Sequence, residues 1–306
     1  MTVSVALTTY NGMKYIKEQL DSIAGQTYTP EEVVIIDDCS TDGTYEYVCN
    51  YIRERNLSGW VVFQNPENQG WKRNFRIAFQ KCRGDFIFLC DQDDVWHDYK
   101  IYEMKKVMEN NPCISLLVSN YSVMDIDREE KVRIPGLNKN DGSVTRLTFQ
   151  EHALTLMRPG CTYCAAKSLI DKLWEKDLIH EPHDQMLWNY AAINDGLYLF
   201  NRITMRYRRH SDSASTPELS LSKKRRYQEM KESVRLCGFF VKRCEEQGMD
   251  DKVKIINGHI RFVTERARML KRGALVKLLF FQIKNHKHYA TLRNMLSDEY
   301  LIVFRK

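Results

Sequence analysis

Apolar runs alternate with helical apolar spacing through the first part of the chain. Four runs have the length and the β-branched or aromatic content of buried strands, and they occupy residues 3–9, 32–38, 60–64 and 85–90. Between these runs, side chains such as Trp71, Phe75 and Phe79 recur at the spacing of one helix face. The alternation predicts an α/β fold with a mostly parallel, Rossmann-like central sheet and flanking helices.

The pattern changes further along the chain. We expect a helix over about 98–109 and a strand over about 114–120, followed by a polar, turn-rich loop over 125–145. Residues 146–210 mix helix and strand patterns, and residues 211–217 are small and polar, as in a linker. Helical patterns with many basic side chains follow from Leu219 onward.

These changes divide the chain into three predicted segments. Residues 1–120 form the first half of an α/β domain, and residues 121–216 form the other side of its cleft. Residues 217–306 form a helical, basic C-terminal extension.

Charge is unevenly distributed between these segments. Residues 217–306 contain 21 Lys and Arg against 10 Asp and Glu, a net charge of +11, whereas residues 1–216 carry 25 against 30, a net charge of −5. A basic extension favours contact with an anionic membrane surface or a phosphate-bearing acceptor, and it is equally compatible with a solvated helical surface. No nucleic-acid partner is predicted.

Cysteine usage and the lack of long apolar runs indicate the compartment. Nine scattered cysteines, an odd number, favour a reducing environment, and the CxxC formed by Cys161 and Cys164 favours a packed strand over a zinc site. No run approaches the ~20 apolar residues of a membrane-spanning helix, and the first residues lack a signal-peptide pattern. We therefore expect a cytoplasmic protein, or one peripheral to the inner face of the cell membrane.

Polar clusters follow three of the predicted strands, at residues 8–11, 37–38 and 91–94. In open α/β sheets, ligands bind beyond the carboxyl ends of the strands. One such cluster is often a helix cap or a solvated turn, but three at the same sheet edge predict a ligand site.

Asp91 and Asp93 are candidate metal ligands. In an extended segment, carboxylates two residues apart face the same side, and hard oxygen ligands suit Mg²⁺ or Mn²⁺ bound to phosphates. The alternative is a capping cluster, with Asp93 or Asp94 at the start of the helix near residue 98.

Several motifs in order resemble glycosyltransferase family 2. The resemblance is carried by VALTTYNGMKYIKEQLDSIAGQTYTPEEVVIIDDCSTDGT and FIFLCDQDDVW, and more loosely by PGCTYCA, PHDQMLW and YRRHSDS, which resemble its rhamnosyltransferase-like branch. The resemblance implies the GT-A fold and an inverting, metal-dependent transfer from a dTDP- or UDP-sugar, with rhamnose from dTDP-rhamnose as the first donor to consider. It also implies a saccharide or lipid-linked oligosaccharide acceptor in bacterial surface-polysaccharide synthesis.

The resemblance also assigns roles to residues. Thr8, Tyr10 and Asp38 are implied as contacts to the nucleotide, with Asp91 near the ribose or a bound water. Asp93 is implied as the metal ligand of the DxD motif. In the motif that resembles the family's R-x-H stretch, Arg208 is expected to grip the diphosphate and His210 to complete the metal site, although Ser213 stands where relatives often carry asparagine.

Asp184 is the candidate general base, because it matches the position where the family carries its base. A single displacement needs a carboxylate that takes the proton of the acceptor hydroxyl. The alternative is that Asp184 is an acidic residue in the first turn of a helix, where it stabilises the helix dipole. Lys72 and Arg73 beside Gly70 either approach phosphate or form a solvated helix face.

Residues 274–281 are apolar but too short to span a bilayer, and basic residues flank them. They predict either an interfacial helix on anionic lipid or an ordinary core helix. For the whole chain, the alternative function is a non-catalytic nucleotide-sugar- or glycan-binding protein on a transferase fold. A processive synthase is disfavoured because the chain lacks a Q-x-x-R-W element, and an oxidoreductase because no G-x-G-x-x-G follows a strand.

Overall fold

The computed structural model describes residues 1–125, 140–150, 154, 157–174, 181–210, 222–289 and 292–304. The chain divides into two compact units. The first comprises Met1–Leu147 and Arg158–Arg209, and the second comprises Thr148–Met157 and His210–Lys306. The predicted linker at 211–217, with Ser213, lies outside the described residues.

The first unit contains one mixed sheet, and six of its nine described strands run in the same direction. The spatial order is β3-β2-β1-β4-β8-β6-β9-β5, and β7 pairs with β9. The strands are β1 (Val3–Thr9), β2 (Glu32–Asp37), β3 (Trp60–Gln64), β4 (Phe86–Cys90), β5 (Val95–Trp96), β6 (Leu116–Asp125), β7 (Val144–Arg146), β8 (Tyr163–Ala166) and β9 (Leu197–Arg209).

Helices connect the strands of this unit. They are α1 (Ile16–Ala24), α2 (Thr44–Glu54), α3 (Trp71–Lys81), α4 (Lys100–Asn110), α5 (Lys167–Leu173) and α6 (His183–Ile193). A 3₁₀ turn, Gly160–Thr162, precedes β8. The α/β architecture predicted from the alternating pattern is confirmed, because the continuous apolar runs are the fully buried strands β1 and β4.

Hydrophobic burial explains the two central strands. All seven residues of β1 and all five of β4 are buried, as expected for strands covered on both faces. The parallel register of β1 brings Thr9 opposite Asp37 on one side and Leu7 opposite Cys90 on the other. The carboxyl ends of β1, β2 and β4 therefore lie next to one another.

The loop predicted over 125–145 is only partly correct. Residues 140–143 are irregular, but Val144–Arg146 forms β7, which pairs antiparallel with β9 although all three side chains are exposed. Backbone hydrogen bonding to β9 stabilises this strand, so no apolar pattern reveals it. Residues 126–139 lie outside the described part of the chain.

The second unit is helical, as predicted. Its helices are α7 (Lys223–Glu246), α8 (Asp250–Arg272), α9 (Leu275–Lys284) and α10 (Leu292–Phe304). Met230, Phe262, Leu270 and Leu301 belong to its buried apolar cluster. In none of the helices that the structure describes is there a segment both long and apolar enough to cross a bilayer.

Candidate active site

The loops that follow β1 and β2 are joined by hydrogen bonds. The backbone N–H groups of Asn11 and Gly12 donate to the hydroxyls of Ser40 and Thr44, each at 2.9 Å. Asn11 has a φ of 47°, a left-handed conformation that asparagine tolerates better than most residues. These contacts fix the polar residues at the first two strand ends in one arrangement.

Gln92 joins the end of β4 to the end of β1. Its side-chain oxygen accepts the N–H of Tyr10 at 2.8 Å, and its amide nitrogen donates to the carbonyl of Tyr10 at 3.1 Å. A Cβ on Gly12 would lie 2.3 Å from that oxygen, so a larger residue at this position would displace the Gln92 amide. The ring of Tyr10 is half-exposed at this edge.

Asp37 and Asp38 are both buried, and they have different partners. Asp37 accepts hydrogen bonds from the hydroxyls of Thr9 at 2.8 Å and Ser40 at 2.5 Å. Asp37 is therefore part of the frame between β1 and β2. Thr8, the nucleotide contact implied by the resemblance, is 9 % exposed and opposes Ile36 in the register.

Asp38 anchors the loop that leads into α3. One carboxylate oxygen accepts the side-chain amide of Asn65 at 2.7 Å and the N–H of Gln69 at 2.8 Å, and the other accepts the N–H of Gly70 at 2.8 Å. Three donors fill most of the acceptor capacity of a carboxylate, which has about four lone-pair sites. Asp38 is therefore fixed in position beside the amino end of α3.

The acidic segment after β4 bends instead of continuing as a strand. The argument from extended geometry, which pairs Asp91 with Asp93, is wrong because the bend instead brings Asp91 and Asp94 together. The ligand atoms of Asp91, Asp94 and Cys161 all lie within 4.8 Å of one another. The capping alternative is also wrong, since Tyr99 is the N-cap of α4 and no side chain caps that helix.

Burial and mutual repulsion raise the pKa values of this acidic loop. Asp94 is fully buried, and burial together with the charge of Asp93 raises its pKa to about 7. The pKa of Asp91 is raised well above its ordinary value by burial and then by the charges of Asp94, Asp93 and Asp184. Asp93 is partly exposed, and it acts electrostatically on both neighbours.

These features fit a divalent cation. One carboxylate oxygen of Asp94, Oδ2, is buried and has no hydrogen-bond partner. Crowded carboxylates that raise one another's pKa values are stabilised by a bound cation, and carboxylate oxygens suit Mg²⁺ or Mn²⁺. The thiol of Cys161 adds a softer ligand atom to this group.

Arg208, at the end of β9, holds the acidic loop. Its backbone N–H donates to Asp94 at 2.9 Å, and its side-chain Nε donates to the carbonyl of Asp93 at 2.6 Å. Its guanidinium also pairs with Glu18 at 3.0 Å and lies 4.9 Å from the ring centroid of Tyr15. Arg208, which the sequence predicts as a diphosphate contact, is thus a buried residue that positions Asp93 and Asp94 in the acidic loop.

Asp184 lies in the first turn of α6 and interacts electrostatically with the acidic loop, since its charge contributes to the raised pKa of Asp91. Its own pKa is raised by burial, and the charge of Lys72 opposes that shift. A Cβ on Gly160 would lie 3.2 Å from the Cβ of Asp184, so the 3₁₀ turn approaches α6 closely. This turn therefore contacts Asp184 through Gly160 and the acidic loop through Cys161.

His183 packs as an apolar side chain. It is buried, its ring centroid lies 3.9 Å from that of Phe75, and its pKa is lowered to about 3 by burial. Trp71 meets the same imidazole edge-on at 5.6 Å. His183 thus fixes the start of α6 against α3, which carries Lys72 toward Asp184, while Arg73 is exposed.

His210 is the first residue of the second unit after Arg209, and it is buried there, with 9 % of its surface exposed. Its role as a metal ligand stays a prediction.

Two buried residues of this region were not identified from the sequence. Lys100 is fully buried and donates to the carbonyl of Cys161 at 2.7 Å, and burial lowers its pKa to about 8. The spacing of Ile101, Met104 and Met108 places Lys100 on the buried face of α4. The burial of Lys100 could therefore have been predicted from its helical spacing. The sequence around Cys161 does not indicate that its thiol lies beside Asp91 and Asp94.

The fold defines a class of protein. The structure resembles that of Staphylococcus aureus TarS 1–349 in complex with UDP-GlcNAc, with a TM-score of 0.60 and 21% sequence identity over 78% of this chain and 66% of that one. A mannosyltransferase from Pyrobaculum calidifontis, PcManGT in complex with GDP-Man and Mn²⁺, gives a TM-score of 0.55 and 14% identity over 99% of this chain and 88% of that one. The fold is that of the GT-A glycosyltransferases, as predicted.

The family follows from the sequence comparison. The model of Glycosyl transferase family 2 matches residues 4–177, and the chain belongs to this family. The poly(ribitol-phosphate) beta-N-acetylglucosaminyltransferase TarS of Staphylococcus aureus is 41% identical over 96 residues, which are 31% of this chain and 16% of TarS. The putative teichuronic acid biosynthesis glycosyltransferase TuaG of Bacillus subtilis is 32% identical over 125 residues, 41% of this chain and 48% of TuaG. The chain therefore spans about one-sixth of the length of TarS and about half that of TuaG.

Proposed function

We propose that this protein catalyses an inverting, metal-dependent transfer of a sugar from a nucleotide-sugar donor to a saccharide or lipid-linked acceptor in bacterial surface-polysaccharide synthesis. The observation that carries the proposal is the 3₁₀ turn Gly160–Thr162, which lies against Asp184 through Gly160 and beside Asp91 and Asp94 through Cys161. It joins the candidate base on α6 to the acidic loop after β4. Membership of Glycosyl transferase family 2 supports the reaction type.

Asp184 acts as the general base. Its carboxylate takes the proton of the acceptor hydroxyl as that oxygen attacks the anomeric carbon, while the bond from that carbon to the diphosphate oxygen breaks. Attack and departure on opposite faces invert the anomeric configuration. The raised pKa of Asp184 makes its carboxylate a stronger base than an ordinary aspartate.

The acidic loop is the proposed metal site. Asp93, with Asp91 and Asp94 beside it, would hold Mg²⁺ or Mn²⁺, which would supply positive charge for the leaving diphosphate. Arg208 contributes by orienting the main-chain carbonyl of Asp93 and the side-chain carboxylate of Asp94. We propose that the nucleotide binds at the adjoining strand ends, in contact with Thr8, Tyr10, Asp38 and Asp91.

The donor and acceptor are proposed at the level of chemical class. The sequence resemblance favours dTDP-rhamnose, whereas TarS is named for N-acetylglucosamine and has been crystallised with UDP-GlcNAc. The names of TarS and TuaG refer to poly(ribitol phosphate) and teichuronic acid, which supports a glycan or anionic polymer acceptor. A lipid-linked acceptor would place the protein at the inner face of the cell membrane.

The test is Asp184→Asn, measured with a panel containing dTDP-rhamnose, UDP-GlcNAc and GDP-mannose. We expect the variant to lose donor hydrolysis and transfer by a factor of about 10³ or more, while the productive donor still raises its melting temperature. Asp195→Asn is the matched control, because Asp195 is exposed just beyond the same helix and asparagine tolerates its φ of 61°. Donor binding without turnover in the unmodified protein would favour the non-catalytic alternative.

Metal dependence has its own test. Removal of divalent cations with EDTA should abolish turnover, and Mn²⁺ or Mg²⁺ should restore it. Asp93→Asn should lose this restoration, whereas the exposed Asp98→Asn should keep it. Full activity in EDTA would reject the metal-dependent mechanism and leave the family assignment intact.

A further inference from the structure

Helix α9 presents a continuous apolar stripe to solvent. The stripe consists of Val276, Leu279, Phe280 and Ile283, whose side chains are exposed at 65%, 43%, 72% and 71%. Their spacing of three, four and seven residues places them on one face of the helix. Isolated exposed apolar residues are ordinary, but four that form one contiguous face mark a contact surface.

The opposite face of α9 is packed, so the orientation of the helix is fixed. Leu278 and Gln282 are fully buried, and the Gln282 amide donates to the carbonyl of Met295 at 2.7 Å. The ring of Phe281 stacks on Phe262 with centroids 5.6 Å apart. The exposed stripe is therefore held outward by the core of the second unit.

Positive charge surrounds the apolar stripe. Lys277 and Lys284 lie on α9 itself, and both are exposed. Residues 266–297 contain eight Lys and Arg and no Asp or Glu. Next to the amino end of α9, a surface depression is lined by Arg268, Arg272 and Lys277, together with Glu265, which is paired with Arg268 at 2.6 Å.

We propose that the apolar stripe docks on an anionic lipid bilayer. Apolar side chains framed by lysines are the arrangement by which an interfacial helix inserts between headgroups while its charges meet anionic lipid. A second copy of this chain is disfavoured as the occupant, because two such faces would bring Lys277 and Lys284 of both copies together, and the nearby Glu265 is already paired with Arg268. Docking would bring the enzyme to the lipid-linked acceptor, and in this respect the inference rests on the proposed function.

The experiment is flotation of the full-length protein with two kinds of vesicle, pure phosphatidylcholine and phosphatidylcholine with about one-third phosphatidylglycerol. The unmodified protein should bind the anionic vesicles. Phe280→Glu should lower its partition coefficient at least about tenfold. Tyr102→Glu is the matched control, because Tyr102 is an aromatic residue, 50% exposed, on helix α4 of the first unit, and this change should have no effect.

Charge is tested separately. The double substitution Lys277→Gln and Lys284→Gln should weaken binding to the anionic vesicles about twentyfold, because each basic residue near such a surface contributes about fivefold. Point substitutions are preferable to deletion of residues 270–306, which would also remove Leu301 and Asp298 from the interior of the second unit. Equal melting temperatures would show that these exposed substitutions leave the fold intact.

Two results would overturn the proposal. One is equal vesicle binding by the unmodified protein and Phe280→Glu, including no binding by either. The other is an oligomer in light scattering that Phe280→Glu dissociates, since the stripe would then be covered by a second copy. Because plain vesicles contain neither donor nor acceptor, either result leaves the proposed glycosyl transfer untouched, and that function is tested by Asp184→Asn.

Discussion

Gln92 makes hydrogen bonds with both backbone groups of Tyr10, so the end of β4 is held to the end of β1 by one side chain. We predict that Gln92→Leu lowers the free energy of unfolding by about 1–2 kcal/mol, because two hydrogen bonds are lost. It should also lower kcat/KM roughly tenfold, since the two strand ends are no longer aligned. Denaturant titration and steady-state kinetics measure the two effects. Unchanged values of both would show that the contact is incidental.

Gly12→Ala should act through the same contact. Its new Cβ would meet the Gln92 side-chain oxygen at 2.3 Å and displace the amide. We therefore expect Gly12→Ala to be harmful in the unmodified protein but nearly neutral when Gln92 is already alanine. A double-mutant cycle on stability and activity measures this coupling. Additive effects would show that Gly12→Ala acts through a contact other than the one with Gln92.

Lys72 should contribute to the pH dependence of the reaction. Burial raises the pKa of Asp184, and backbone N–H groups and then the positive charge of Lys72 oppose this rise. Because the base must be ionised, activity is present above this pKa and is lost as pH falls through it. Lys72→Met should move the acid limb of kcat/KM to higher pH, whereas the exposed Arg73→Met should leave it in place. If the acid limb of Lys72→Met stays in place, a group other than Asp184 determines that limb.

The buried Lys100 should make stability depend on alkaline pH. Its pKa falls from 10.5 to about 8 on burial, so the unfolded chain binds this proton between those values and the folded chain does not. Stability therefore rises with pH across that window, by up to about 3 kcal/mol from this group. Lys100→Met should lack this rise in urea titrations, because methionine carries no proton. If stability rises equally with pH in the variant, groups other than Lys100 cause the rise.

Asp298 should be essential to the second unit. It is fully buried and accepts hydrogen bonds from the Arg266 guanidinium, one of them at 2.9 Å. Asp298→Asn should lower the free energy of unfolding by about 3–5 kcal/mol, because Arg266, whose side chain is 13% exposed, loses its counter-charge. The control is Asp251→Asn, whose side chain is 95% exposed and pairs with Lys254, and which should change stability by less than about 0.5 kcal/mol. Similar melting temperatures for the two variants would contradict this role.

Much of the fold could be predicted from the sequence because its signals are local. The strand β1 and the helix α3 have patterns that a single burial rule explains, namely a continuous apolar run and one apolar face that includes Phe75 and Phe79. The short strand β7 has no such pattern, since it is held by pairing with β9 and by polar contacts such as the ion pair between Arg146 and Asp195. Sequence patterns report side-chain burial, and β7 buries none.

The candidate site was predictable in its location but not in its arrangement. Clusters at the ends of β1, β2 and β4 indicated the correct sheet edge, because neighbouring parallel strands end together. The partners of Asp94 were not predictable, since Arg208 and Cys161 are brought to it from distant parts of the chain. The bend after Cys90 also changed which carboxylates face one another.

The three hydrogen bonds accepted by Asp38 have a thermodynamic consequence for a donor site at this edge. A carboxylate already immobilised by Asn65, Gln69 and Gly70 has little side-chain freedom left to lose when a ligand arrives. The entropic cost of ordering the Asp38 side chain is therefore incurred during folding, so a nucleotide that binds there would not have to order this side chain.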